Sequence, residues 1–202
     1  MTVPKKRAPK IDGRRLRSER TRASILGALL ALVKDGNVAP SAPQIAAKAG
    51  VALRSIAQHF PSREALFAAA AAAYRDVAPR TEAVDVALAR DERVVAFAAK
   101  RADVLETTAP YRLTATIMAA QSHAVHDGLR VAARLRRAEV AAAFAPELER
   151  IAGRAKAEIL DALDAAASGR AWDAWRDDMQ LAPRAAQARM AMVLSAILAT
   201  IA

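Results

Sequence analysis

The stretch "SAPQIAAKAGVALRSIAQHF", residues 41–60, reads as two very short helices joined at Gly50. Ser41 and Gln44 form a capping-box pattern, and Pro43 is tolerated in a first helical turn. The first helix ends at Ala49, because Gly50 supplies the left-handed backbone that a sharp turn needs. A second helix follows over roughly 52–59 and is stopped by Pro61. Isolated helices below about 12–15 residues are marginal in water, so neither can stand alone. Ile45, Ala46, Ala49, Val51, Ile56 and Phe60 supply the apolar contacts that hold them, with Ala46 small enough for a close crossing.

The flanking sequence provides the neighbours they need. Upstream, Ile25, Leu26, Leu29, Leu32 and Val33 fall on one helical face, closed near Gly36. Downstream, Ser62 caps the helix "REALFAAAAAAYRDVA", which ends near Pro79. Two short helices at this spacing make a helix-turn-helix, whose second helix can enter a DNA major groove about 12 Å wide.

Residues 20 to about 70 resemble the DNA-binding domain of the TetR family of bacterial repressors, through Gly36, "SAPQIAAKAGV", "ALRSIAQHF" and "PSREAL". The resemblance implies a recognition helix over about Ala52–His59, in which Leu53, Arg54, Ser55 and Gln58 face bases or nearby phosphates. Arginine can pair bidentately with guanine, and glutamine with adenine. His59 and Arg63 match the family's phosphate contacts, with Arg63 in place of the usual lysine. Ser41 can add its hydroxyl and a helix N-terminus to a phosphate, and Arg22 of the basic N-terminal segment joins the DNA-binding set. Two positions depart from the family pattern: Ala57 replaces a tyrosine, and Ala52 replaces the Ser or Thr cap of the recognition helix.

Charge placement points the same way. Residues 1–22 hold nine Lys/Arg against Asp12 and Glu19, which accounts for +7 of the net +10. A flexible basic arm over 1–19 beside a near-neutral body is an electrostatic footprint of nucleic-acid binding. A solubilising tail or a membrane anchor is the plainer alternative. Alanine dominates the apolar residues, aromatics are 4%, and no alternating apolar segment reads as a strand, so the chain is expected to be all-α. Cysteine is absent, which excludes disulfides and thiolate metal sites. The basic N-terminus has no apolar core of a secretory signal, and "MAMVLSAILATIA" (190–202) is too short to span a bilayer, so a cytoplasmic protein with no membrane partner is expected.

Beyond residue 80, helices are expected near 91–108, 111–124, 127–144, 147–167, 171–179 and 184–201. Breaks fall at Pro110, at His126–Gly128, at Pro146, at Ser168–Gly169 and at Pro183. The resulting division is a basic arm (1–19), a DNA-binding domain (20–66) and a ligand-binding and dimerisation domain (67–202). The resemblance implies a homodimer built by the helices at 147–167 and 184–201, and a cavity for a small-molecule effector among the middle helices. Candidate ligand contacts are Phe97, Arg101, Thr114, Met118 and Gln121. Arg101 shares a stripe with Val94, Phe97, Val104 and Thr108 and could meet an anionic ligand. A rival stripe of Val95, Ala98, Ala102 and Leu105 leaves it in solvent, and that reading is preferred. His123 and His126 lack a third ligand, so no metal and no cofactor is expected. No glycine-rich phosphate loop, nucleophile elbow or spaced carboxylate pair marks an enzyme.

The function so implied is a ligand-responsive regulator, a repressor released from a double-stranded DNA operator by a small molecule. The alternatives are a helical small-molecule binding protein, or an architectural DNA-binding protein with a degenerate recognition helix.

Overall fold

A computed structural model describes residues 13–201, and among these every regular element is helical. The chain runs α1 (Gly13–Lys34), α2 (Ala42–Ala49), α3 (Leu53–His59), α4 (Arg63–Val77), α5 (Arg90–Ala119), α6 (His123–Ala143), α7 (Ala145–Leu148), α8 (Gly153–Ala166), α9 (Gly169–Asp173) and α10 (Pro183–Leu198). A π-helical turn at Ala174–Asp178 continues α9. No helix among the described residues is long and apolar enough to cross a membrane.

Two apolar cores organise these helices. Ile25, Leu29 and Val33 of α1 meet Ile45 of α2, Ile56 of α3 and Phe67 of α4 in the first. Phe97 and Leu105 of α5 meet Val140 of α6, Leu163 of α8, Trp172 of α9 and Met190 and Leu194 of α10 in the second. Phe97 and Phe144 pack edge to face within it, with ring centroids 5.3 Å apart. Met118 of α5 and Val125 of α6 belong to the first core instead, so the α5–α6 hairpin enters both.

Several expected boundaries are corrected. The basic segment is helical from Gly13, so α1 takes in part of the arm expected over 1–19; residues 1–12 lie outside the described residues. Pro110 does not break the chain: α5 continues through it as one helix, not as separate helices at 91–108 and 111–124. Proline removes a ladder N–H and crowds the preceding turn. Side chains support that turn, since Arg112 donates to the Leu105 carbonyl and the Thr108 hydroxyl donates to the Val104 carbonyl at 2.8 Å.

The break expected at His126–Gly128 lies earlier. Ser122 caps α6, accepting from the Val125 N–H at 3.3 Å, and Gly128 sits inside the helix. Its missing side chain makes room for Arg75 of α4, whose Nη1 lies 2.6 Å from where a Cβ would stand. The helix expected over 147–167 is divided, because the chain unwinds after Leu148 and resumes at Gly153. The helix expected over 171–179 starts at Gly169, capped by Ser168, and ends in the π-helical turn.

Candidate functional site

The α2–α3 pair owes its geometry to local chemistry. The Ser41 hydroxyl accepts from the Gln44 N–H, while the Gln44 side chain accepts from the Ser41 N–H at 2.8 Å, completing the capping box. Gly50 turns the chain with φ 67°, and the Val51 N–H bonds back to the Ala46 carbonyl at 3.0 Å. Helix α3 starts without a side-chain cap, since Ala52 has none to offer. Its C-terminus is held from α1: Arg22 donates to the His59 carbonyl at 3.1 Å and lays its guanidinium 4.4 Å from the Phe60 ring centre.

Ile56 and Phe60 point into the first core. Leu53, Arg54 and Gln58 are exposed, while Ser55 and His59 are half-buried. Leu53 is 53% exposed. Arg54 and Gln58 make no side-chain hydrogen bond or ion pair to the described residues, so their full bonding capacity faces outward. Ser41 is exposed at the start of α2, and Arg63 is exposed at the start of α4 with its guanidinium over Phe67. Seven of the expected DNA-facing side chains therefore belong to the α2–α3–α4 surface, whereas Arg22 is committed in part to holding α3.

A second feature lies between the cores. A cavity of about 310 Å³ is bounded by Leu29 and Val33 of α1, Phe67 and Tyr74 of α4, Thr108 and Met118 of α5, and Leu129 and Glu139 of α6. Of the expected ligand contacts, Arg101, Thr114 and Met118 line it. Phe97 does not, being packed into the second core, and Gln121 stands exposed beyond the end of α5.

Arg101 is not solvated, as the preferred reading had it, but buried. Both proposed stripes are partly right, because Val94, Phe97, Ala98, Arg101, Ala102 and Leu105 are all buried while Val95 is exposed. Arg101 donates through Nε to the Ala167 carbonyl at 2.9 Å, and its Nη1 lies 3.7 Å from Glu139 Oε2. Burial pulls its guanidinium down to about 10, an effect that Glu139 opposes.

Further polar residues on these walls escaped sequence reasoning. Arg112 pairs with Asp173, and Arg136 grips Asp164 with two bonds of 2.7 and 2.9 Å. Tyr74 stacks on Tyr111 with ring centres 4.1 Å apart, and burial, reinforced by Tyr111, pushes the Tyr74 phenol up to about 12. Tyr74 Oη, Thr114 Oγ1 and Glu139 Oε2 are buried with no hydrogen-bond partner. The available signal was Thr108 and Arg112, polar residues flanking Pro110. His123 and His126 are exposed, and no group of three metal-ligating side chains forms among the described residues.

Comparison with known proteins fits this geometry. Residues 26–70 match the profile of the family described as "Bacterial regulatory proteins, tetR family". The fold is similar to that of a transcriptional regulator from Rhodococcus sp. Rha1, at a TM-score of 0.63 and 19% identity, covering 91% of this chain and 96% of that one. No curated protein matches the sequence.

Proposed function

We propose that this chain, whose residues 26–70 match the tetR family of bacterial regulatory proteins, is a homodimeric, ligand-responsive repressor of that family, released from its operator by a small molecule. The observation that carries the reading is the outward face of α3. Arg54 and Gln58 are exposed side chains of the types that read guanine and adenine, and they have nothing to bond within the described residues. Ser41, His59 and Arg63 flank them as phosphate contacts that fix the register.

The cavity supports the second half of the reading. Ligand sites are concave and mainly apolar with a few placed polar groups, and this one touches α1 and α4 of the N-terminal unit as well as α5 and α6. A ligand that fits one arrangement of these helices better than another shifts the population between them, and DNA shifts it back by the same coupling. Pairing of two chains lets two half-sites about one helical turn apart be read together. The outer face of α10, with Ala185, Ala188 and the 54% exposed Met192, is a small-residue surface suited to that pairing.

The test is fluorescence anisotropy of the full chain on its own upstream intergenic DNA, with excess unrelated DNA and at two salt concentrations. Binding should survive the competitor, and Arg54→Ala or Gln58→Ala should each weaken it by about 1–3 kcal/mol without changing the melting temperature. Binding abolished by competitor at moderate salt would be almost wholly electrostatic and would support an architectural role instead.

A further inference from the structure

The cavity between the two cores is long, and its mouth is charged. On α5 its lining runs from Arg101 to Met118, roughly 25 Å of helix at 1.5 Å per residue. The deep wall is apolar, made by Leu29, Phe67, Met118 and Val125, all of them buried. The exposed residues of the lining are Arg75, Pro79 and Arg80 on the α4 side and Ala132 and Leu135 on α6, so the mouth opens between these two elements. The unpartnered atoms Tyr74 Oη, Arg112 Nε, Thr114 Oγ1 and Glu139 Oε2 have essentially no accessible surface, and so none of them receives a ligand in this arrangement. Recognition of a polar group falls to the mouth.

The charges of the lining divide in two. Inside, Arg101, Arg112 and Arg136 face Glu139, Asp173 and Asp164, so each of these arginines has its acid. At the mouth, Arg75 and Arg80 have no ion pair or side-chain hydrogen bond among the described residues, and no acidic residue shares the exposed rim with them. The exposed acids nearby are turned elsewhere: Glu82 pairs with Lys100, Asp127 stands beside His126, and Asp76 forms no ion pair with either arginine. Two positive charges are therefore left over. Arg75 is also seated. Its Nη1 lies 2.6 Å from where a Cβ of Gly128 would stand, so the guanidinium crosses from α4 onto α6 where that helix has no side chain. Glycine is a poor residue inside a helix, and here it makes room for a charge. A guanidinium held this way offers a fork of N–H donors that fits a carboxylate or a phosphate, and it repels a cation. We propose that the effector is an elongated apolar molecule with an anionic head, its body along α5 and its head at the mouth between α4 and α6, held by Arg75 and Arg80. The anion that Arg101 suggests from sequence is thereby moved to the rim, because Glu139 already compensates Arg101. A bound head fastens α4 to α6 through Arg75, and α4 follows α3 after a short link, so occupancy acts on the placement of the DNA-facing surface.

This inference rests on the cavity being the effector site, and the experiment separates the two. The full chain is loaded with the apolar fluorophore N-phenylnaphthylamine. It is then displaced at neutral pH by dodecanoate, dodecyl phosphate, dodecanol or dodecylammonium, all below their micelle concentrations; these share one chain and differ in the head. The better of the two anions should displace the fluorophore at a concentration about fivefold or more below dodecanol, with dodecylammonium the weakest. Which anion is better assigns the head as carboxylate or phosphate. The advantage should vanish in the double variant Arg75→Gln, Arg80→Gln, while displacement by dodecanol stays unchanged; both positions are exposed, and circular dichroism checks the fold. Equal or tighter displacement by dodecanol or dodecylammonium, or an anion advantage that persists in the double variant, overturns the anionic head and leaves the cavity standing. Ala115→Trp fills the cavity wall, with Ala71→Trp in its place if the first variant loses its helical signal. Absence of fluorophore uptake, or uptake undiminished by the tryptophan, overturns the cavity itself as the effector site.

Discussion

On α3, Arg54 and Gln58 reach outward and are bonded to nothing internal, while on α5 the arginines at 93, 101 and 112 turn inward and grip neighbouring elements. Arg93 is 3% exposed, pairs with Glu147 of α7 and donates to the carbonyls of Val86 and Leu88 at 2.9 and 2.7 Å. The same residue type therefore does opposite work in the two regions. In the short pair, apolar residues and caps hold the backbone and polar side chains are left free to be read by a partner. In the long hairpin, polar side chains are part of what holds the helices together.

The largest expected effect tests the inward region. Arg93→Met leaves Glu147 buried without its counter-ion and should cost about 3–5 kcal/mol in urea unfolding. A cost below about 1 kcal/mol would break the contrast, because the inward arginine would then be dispensable. In the outward region the fold depends on backbone. Gly50→Ala forces a side chain into φ 67° and should cost about 1–2 kcal/mol, with a parallel loss of DNA affinity.

A smaller gain is expected from Ala52→Ser. The residue before α3 already has the extended backbone of a cap, φ −69° and ψ 146°, and lacks only an oxygen. Supplying it should raise the melting temperature by the equivalent of about 1 kcal/mol. If stability is unchanged, Arg22 at the other end of α3 already does the work of fixing that helix. The smallest effect is a titration. Tyr74, with its phenol pushed up to about 12 by burial, should keep its proton at pH 10 in the folded chain and be about half ionised on unfolding, as read by tyrosinate absorbance. The folded state then binds the extra proton, so this group's contribution to stability falls as pH rises from 10 towards 12.

What was legible in the sequence follows from the same contrast. The short pair is specified locally: Ser41 with Gln44, Gly50, Pro61 and Ser62 each act within a few residues, so spacing alone places α2, α3 and the start of α4. The hairpin is specified by partners far along the chain. Pro110 reads as a stop unless Arg112 and Thr108 are known to support its turn, and Arg101 reads as solvated unless Ala167 and Glu139 are known to face it. Gly128 likewise reads as a break until Arg75 is placed against it. The contacts of Arg101 and Gly128 join residues tens of positions apart, which periodicity within one helix does not encode, whereas the support of Pro110 lies within α5 but depends on side-chain geometry rather than spacing. Of the ligand contacts expected from sequence, the cavity takes in Arg101, Thr114 and Met118 but neither Phe97 nor Gln121, because one apolar stripe serves the cavity and the second core together.

The α5–α6 hairpin, with Phe97 and Val140 in one core and Met118 and Val125 in the other, also governs how the molecule comes apart. Opening α2 and α3 breaks only contacts of the first core, and so forms a low-energy local excursion. Opening the hairpin breaks both cores at once, which places its amides among the last to exchange with solvent. The element that would read DNA is thus free to breathe, whereas unfolding the element that encloses the cavity opens both cores.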